Sequence, residues 1–216
     1  MRMRRLILLA WVLFVGRVSG QTSTNDAPLV MGTDSEKAWS FTLSVDGNLV
    51  PDGSDYVQPT LSADRDWLHL EARYNYEALE TGSAWVGWNF CGGKSLEWEF
   101  TPMIGGVFGD LKGVAPGYEG SLSWWKLELY SEGEYVFDME DSSESFFYNW
   151  SQLTLAPVGW LRLGLVAQRT KVYETGREIQ RGVLVGLSCK TVDLTTYVMN
   201  PDEGEPTVIV EVDLNF

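Results

Sequence analysis

The chain is poor in the residues that most often carry catalysis or covalent cross-links. Its 216 residues include one histidine, His69, and two cysteines, Cys91 and Cys189. A single histidine leaves one candidate base for nucleophilic catalysis through serine or cysteine. The two cysteines allow at most one disulfide, in an oxidising compartment. The composition therefore gives little support to an enzymatic function, and we assign no catalytic residue.

Long apolar runs and positive charge are also scarce. Residues 6–15 form the only long apolar run, which is too short to cross a membrane as a helix. A chain without such helices can cross a bilayer only with strands closed into a barrel, because backbone polar groups need partners in lipid. The net charge is −14, from 30 acidic and 16 basic residues. This acidity argues against nucleic acid as a partner.

The first 20 residues have the pattern of a secretory signal peptide. Arg2, Arg4 and Arg5 precede the apolar run, and the small residues Ser19 and Gly20 follow it. We expect cleavage near Gly20. Residues 21–38 are polar and lack periodicity, so we expect a periplasmic lead-in there, followed by a single domain over residues 39–216.

The last ten residues alternate between apolar and polar positions. The apolar face carries Val208, Val210, Val212, Leu214 and the terminal Phe216, and the opposite face carries Glu211, Asp213 and Asn215. This pattern, ending on an aromatic residue, resembles the closing strand of bacterial outer-membrane β-barrel proteins. The resemblance implies an outer-membrane location in contact with lipid. It also implies recognition of Val208 to Phe216 by the barrel-assembly machinery.

The rest of the chain is a series of short alternating segments separated by turn residues. Strands are predicted at residues 39–50, 56–63, 67–77, 83–90, 95–104, 119–130, 134–139, 145–156, 160–172, 178–189, 191–199 and 207–216. An even strand number requires a turn near Gly133. Connections are alternately long and short, as in outward loops and periplasmic turns. The sequence therefore predicts an all-β fold, a closed antiparallel up-and-down transmembrane β-barrel of about twelve strands, with ten as the alternative.

Alternation also predicts which side chains face the lumen. The polar faces of the predicted strands carry His69, Glu71, Arg73, Asn75, Glu97, Glu99, Lys126, Glu128, Arg162, Gln168, Asp193, Glu211 and Asp213. Their mixed charges suit either a solute-selective pore or a salt-bridged plug. Twelve strands lie between a filled barrel and a wide channel.

Several local features are expected to interrupt this regular pattern. Gly105 to Gly117 is rich in glycine, and we expect a shaped outward loop that either enters the lumen or forms a surface turn. A bulge or strand end is expected near Pro59 and near Pro102, and a bulge near Trp124. Cys91 and Cys189 close strands on opposite walls of the predicted barrel, too far apart to pair.

A passive pore for small polar solutes or ions is the function that these patterns favour. No dedicated metal or nucleotide motif is present, so no metal and no cofactor are expected. Three alternatives remain open: a closed structural barrel, an outer-membrane lipid-modifying enzyme that uses His69, and a soluble exported β-sandwich that binds carbohydrate on exposed tryptophans.

Overall fold

The chain folds into a ring of antiparallel strands. A computed structural model describes residues 38–51, 53–172, 178–202, 204 and 206–216. Its strands are β1 (Ser40–Leu49), β2 (Tyr56–Arg65), β3 (Leu68–Tyr74), β4 (Thr81–Trp88), β5 (Phe90–Gly93), β6 (Leu96–Gly109), β7 (Gly113–Trp124), β8 (Leu127–Asp138), β9 (Phe146–Val158), β10 (Leu161–Val172), β11 (Glu178–Cys189), β12 (Val192–Met199) and β13 (Thr207–Asn215). The predicted signal peptide and lead-in, up to residue 37, lie outside the described residues.

The strand pairings close the ring. Strands that follow one another in sequence pair, except β4 and β5, which both pair with β6 instead. Strand β13 pairs with β1. Strand β5 continues β4 in the same register, since Gly87 pairs with Met103 and Phe90 with Phe100. The barrel therefore has twelve strands, one of them interrupted at Asn89. This confirms the predicted closed antiparallel barrel, and it shows that the two-sheet sandwich alternative is wrong.

The outer surface of the ring is apolar. Outward positions on β10 and β11 carry Leu163, Leu165, Val183 and Val185, which remain between 42% and 61% exposed. Other outward apolar side chains are between 39% and 53% exposed, among them Leu61, Leu70, Val86, Trp98, Ile104, Leu122, Leu129 and Leu153. Apolar side chains over a whole closed surface need a hydrocarbon environment, which a bilayer supplies. Among the described residues, no helix is long and apolar enough to cross a membrane.

One group of outward side chains departs from this pattern. Asn149 on β9 donates through Nδ2 to the hydroxyl oxygens of Tyr118 and Ser131, at 3.1 Å each. The hydroxyl oxygens of Ser131 and Ser151 lie 2.9 Å apart. These groups satisfy one another, so the wall carries them at mid-strand without unpaired polar atoms facing lipid.

Two predicted boundaries are wrong. The glycine-rich segment from Gly105 to Gly117 is not a loop, because β6 continues to Gly109 and β7 begins at Gly113. The predicted turn at Gly133 lies in the middle of β8, where Gly133 pairs with Tyr118 and Asn149. The turn between β7 and β8 is instead Trp125-Lys126. The predicted bulge near Trp124 is therefore also wrong, since Trp124 ends β7 directly before this turn.

Trp85 explains the glycines in these strands. Its indole points into the barrel and is 3% exposed. A Cβ at Gly105, the residue paired with Trp85, would lie 2.4 Å from Cδ2 of that ring, and a Cβ at Gly117 would lie 3.0 Å from Cζ3. Glycine at these two positions leaves the space that the indole occupies.

Both prolines lie inside strands, at positions where the ladder to one neighbouring strand is interrupted. Pro102 on β6 faces the break between β4 and β5, and Pro59 lies just beyond the last residue pair of β2 with β3, Thr60 with Arg73. Proline has no N–H to donate, so a gap on one side of the strand accommodates it.

The two rims of the barrel differ. Two-residue turns join strands at one edge, the short-turn rim, and three of them begin with a non-glycine residue at positive φ: Asp66, Trp125 and Lys190, at 60°, 56° and 58°. The connections from β1 to β2, β3 to β4, β6 to β7, β8 to β9 and β12 to β13 are longer and lie at the opposite edge, the long-loop rim. This alternation was predicted, except that the connection between β6 and β7 is much shorter than expected. Cys91 and Cys189 are both free; Cys91 lies within β5, and Cys189 ends β11.

Candidate functional site: the barrel lumen

The inward faces of the strands enclose a polar cavity of about 720 Å³. The cavity follows β1 from Ser40 to Asn48 and β2 from Tyr56 to Asp64, which is nearly the full length of both strands. Alternation produces this lining, because Ser44, Asp46 and Asn48 share one face of β1. The cavity thus runs along the wall from one rim toward the other.

Apolar side chains fill part of the interior in two clusters. One cluster, on β4, β6, β7 and β8, comprises Trp85, Met103, Val107, Ala115 and Val136. A second, on β10, β11 and β12, comprises Val166, Leu184, Tyr197 and Met199. These clusters narrow the lumen, so that the open space is smaller than a ring of twelve strands would otherwise enclose.

The cavity lining is strongly acidic. Eight carboxylates line it, compared with one arginine and one histidine: Asp46, Asp64, Asp66, Glu71, Glu99, Glu119, Glu132 and Glu211 against Arg73 and His69. A narrow lumen in a low-dielectric wall focuses the field of such charges. Acidic side chains therefore dominate the electrostatics of this lining.

Arg73, the one arginine of this lining, forms ion pairs with carboxylates of the wall. The Arg73 side chain is 5% exposed; its Nε donates to Glu71, and its Nη1 donates to Glu134 Oε2 at 3.1 Å. Its guanidinium carbon also lies 4.7 Å from the centroid of the Trp85 ring. Carboxylates and an aromatic face surround this charge within the wall, which offsets its desolvation and leaves little of it to act on a solute.

Tyrosines hold two of the acidic residues in place. Glu132 accepts hydrogen bonds from Tyr76 and, at 2.7 Å, from Tyr130. Glu211 accepts one from Tyr197, whose ring packs edge-on against Trp150 with centroids 5.1 Å apart. Fixed carboxylates next to aromatic rings give the lumen both hydrogen-bond acceptors and flat apolar faces.

The structure places the predicted lumen residues in three groups. His69, Glu71, Arg73, Glu99, Gln168 and Glu211 line the cavity. Glu97, Glu128, Arg162, Asp193 and Asp213 lie on inward faces close to the short-turn rim. Asn75 and Lys126 lie in turns rather than in the lumen wall: Asn75 donates to the carbonyl of Val57 at 3.0 Å, and Lys126 to that of Pro157 at 2.6 Å.

Sequence reasoning missed five acidic residues of the cavity: Asp46, Asp64, Asp66, Glu119 and Glu132. Asp66 lies in the turn between β2 and β3 and therefore has no strand parity to identify it. Glu132 was missed because it was placed in a turn, and Asp64 because β2 extends two residues further than predicted. Asp46 and Glu119 share faces with polar neighbours on β1 and β7. Strand parity could have identified both of them.

Charged pairs also occur at the long-loop rim. Lys112 donates to Glu140 at 2.7 Å, and this bond raises the pKa of the Lys112 ammonium. Arg181 donates to Asp202 at 2.6 Å, which lowers the pKa of the Asp202 carboxyl. All four side chains are solvent-exposed, so these pairs contribute little to stability.

Comparison with known proteins identifies the fold. No protein-family model matches the chain, and no curated protein matches it significantly. A solved structure of the KdgM porin superposes with a TM-score of 0.58 at 13% identity, covering 81% of this chain and 99% of the porin. The KdgM porin in complex with disordered oligogalacturonate gives 0.57 at 13% identity, over 82% and 99%. Pseudomonas aeruginosa OccK5 gives 0.45 at 8% identity, over 82% of this chain and 66% of that protein.

The chain thus has the fold of bacterial outer-membrane β-barrel porins. The closed ring and its apolar exterior indicate a membrane-spanning protein. Together with the porin fold, they indicate the bacterial outer membrane as its location.

Proposed function

We propose that the chain is a passive outer-membrane channel for small polar solutes, with a preference for cations over anions. The observation that supports this most is the polar cavity alongside β1 and β2, which follows both strands over nearly their whole length. A barrel that served only as a structural element would have its interior filled by side chains. Here the apolar clusters fill only part of it.

The charge of the lining supports the preference for cations. Eight carboxylates line the cavity, and the only arginine among the lining residues lies between Glu71 and Glu134. A structural neighbour, the KdgM porin, has been solved with oligogalacturonate, an anionic sugar polymer. The acidic lumen of this chain opposes such a solute, so shared fold does not imply a shared solute.

Planar-bilayer recordings with the refolded chain test this proposal. We expect discrete conductance steps and, in a potassium chloride gradient, a reversal potential that shows cation preference. Substituting Asp46→Asn together with Glu211→Gln should reduce that preference severalfold, because both carboxylates line the cavity. Glu140→Gln, in the exposed loop between β8 and β9, changes charge outside the lumen and should leave selectivity unchanged. Absence of conductance would contradict a channel, and anion preference would contradict the selectivity.

We further propose that the chain does not modify lipids. His69, the only histidine, is 4% exposed and faces the lumen, where its Nδ1 lies 2.9 Å from Asp64 Oδ1. A lipid acyl chain contacts the opposite, outward face of β3. Purified barrel should therefore not hydrolyse phospholipid above background; turnover that disappears in His69→Ala would contradict this.

Export and assembly complete the proposal. Residues 1–20 would direct the chain to the periplasm, and the barrel-assembly machinery would recognise Val208 to Phe216. Strand β13 supports this second step, because it pairs with β1 and so closes the ring. Lipid would surround the apolar exterior, and no nucleic acid is expected as a partner.

A further inference from the structure

We propose that His69, Glu71 and Glu119 form a binding site for a divalent transition-metal cation on the lumen wall. This inference goes beyond the proposed channel, because binding at the site does not require conduction. One imidazole nitrogen and one oxygen from each carboxylate lie within 4.8 Å of one another. His69 and Glu71 share the inward face of β3, and Glu119 comes from β7.

The backbone between these strands leaves room for the cluster. His69 pairs with Gly87 on β4. A Cβ at Gly87 would lie 3.3 Å from the Cβ of His69 and 2.9 Å from Cγ2 of Thr101. Because Gly87 has no side chain, His69 is not crowded from the paired position on β4.

The histidine is oriented as a ligand. Its side chain is 6% exposed, and Nδ1 lies 2.9 Å from Asp64 Oδ1. Asp64 is itself held by Asn89, which donates at 2.7 Å and in turn accepts from Thr101 at 2.7 Å. A carboxylate that accepts from Nδ1–H fixes the tautomer in which the other ring nitrogen carries a free lone pair.

That other nitrogen points into the cluster and is unsatisfied. His69 Nε2 is buried, has no hydrogen-bond partner, and lies 3.4 Å from Glu71 Oε2. A buried polar atom without a partner is costly in a folded protein. A cation bound between Nε2 and the two carboxylates would remove that cost.

The local charge also favours a dication. Four carboxyl groups, those of Asp64, Glu71, Glu119 and Glu134, surround one guanidinium, that of Arg73, and the imidazole of His69. Acidic groups therefore outnumber basic groups at this place in the wall. A bound dication would attract these carboxyl groups and lower their mutual repulsion.

The donor set indicates which class of metal is bound. Calcium and magnesium prefer ligand shells made of oxygen alone, whereas one imidazole nitrogen with two carboxylate oxygens suits zinc and its neighbours in the first transition row. Zinc bonds of about 2.0–2.1 Å place tetrahedral donors roughly 3.3 Å apart. Glu119, whose side chain is 24% exposed, has the freedom to approach the imidazole to that extent.

Zinc titration of the refolded full-length mature chain in detergent tests the site. Calorimetry against zinc chloride near pH 7.5 should give one zinc per chain, uncompeted by excess magnesium. His69→Ala should abolish binding, and Glu119→Gln, at a less buried position, should weaken it at least tenfold. Asp64→Asn should weaken it about 10–100-fold, as expected for a group that orients a ligand. Glu211→Gln is the matched control, because it removes a cavity carboxylate away from the site.

The results distinguish metal binding from a simple ion pair. If His69 only forms ion pairs with Asp64 and Glu71, the wild-type chain, His69→Ala and Glu119→Gln will all bind zinc equally weakly. That result would overturn the proposal. Zinc binding that is the same in all folded variants overturns it as well. Electrophoresis of unheated and boiled samples identifies the variants that fold. Conductance without zinc binding would contradict only the site, and zinc binding without conductance would contradict only the channel.

Discussion

Arg73 lies inside the barrel wall, where its guanidinium contacts Glu71 and Glu134 and the faces of Trp85 and Tyr76. Removing one partner of a buried ion pair leaves uncompensated charge, which costs about 3–5 kcal/mol. We therefore expect Arg73→Met to lower the free energy of unfolding by about that amount. Urea titration in detergent micelles, monitored by tryptophan fluorescence, measures it.

Arg181 provides the control for this prediction. It also pairs with a carboxylate, Asp202, but the two side chains are 74% and 59% exposed. An exposed pair of this kind contributes about 0–1 kcal/mol, so Arg181→Met should be nearly neutral. Equal losses in the two variants would show that burial of Arg73 is not what makes its pairing important.

The two glycines before the end of β6 offer a second comparison. A Cβ at Gly105 would lie 2.4 Å from the Trp85 ring, whereas a Cβ at Gly106 meets nothing within 4 Å. Overpacking of a filled interior costs about 1–3 kcal/mol. Gly105→Ala should therefore lower the urea midpoint clearly, and Gly106→Ala should not. A neutral Gly105→Ala would mean that the indole moves aside at no cost.

At the level of single elements, strand length depends on contacts that local sequence does not show. The alternation of β3 and β10 is regular, and both strands were predicted within a few residues of their ends. The β6–β7 hairpin was not, because glycine is more common in loops than in strands. Here Gly105 and Gly117 are required by Trp85, which precedes them by at least 20 residues.

Insertions test the corrected boundaries of β8. Gly133 lies at the middle of this strand and pairs on both sides, whereas Glu140 lies in the connection to β9. A flexible ten-residue insertion after Gly133 should prevent folding, since it breaks two ladders. The same insertion after Glu140 should be tolerated. Migration of unheated samples in electrophoresis distinguishes the two results, and a folded Gly133 insertion would restore the turn that the sequence predicted there.

At the scale of the whole molecule, alternation predicts which face a residue occupies but not which residues meet across the lumen. His69 and Glu71 were both placed on the inner face of β3 from sequence. Their proximity to Glu119 depends on the pairing of β4 with β6, which brings β3 and β7 near each other in the wall. The excess of acidic over basic residues could be read from the sequence. The enclosure of Arg73 could not, because its partners Glu134 and Trp85 come from other strands of the ring.

The last prediction concerns Phe216, next to the pairing of β1 with β13 that closes the ring. Phe216 forms two backbone hydrogen bonds with Phe41, at 2.8 and 3.0 Å, and the two rings stack at 5.8 Å. Phe216→Ala keeps the backbone bonds and loses only an exposed ring, so refolding in detergent should change little. If the assembly machinery recognises the terminal aromatic residue, the same variant should reduce the folded barrel in the outer membrane severalfold.

Phe90 is the matched residue for this test. It also presents an exposed aromatic ring, at the same short-turn rim, but on β5 and away from the chain terminus. Phe90→Ala should therefore match Phe216→Ala in detergent and assemble normally in cells. Membrane fractionation followed by electrophoresis of unheated samples measures both. Equal losses of folded barrel for both variants in cells would contradict recognition of Phe216. They would show instead that any aromatic ring at this rim matters, because such rings favour the bilayer interface.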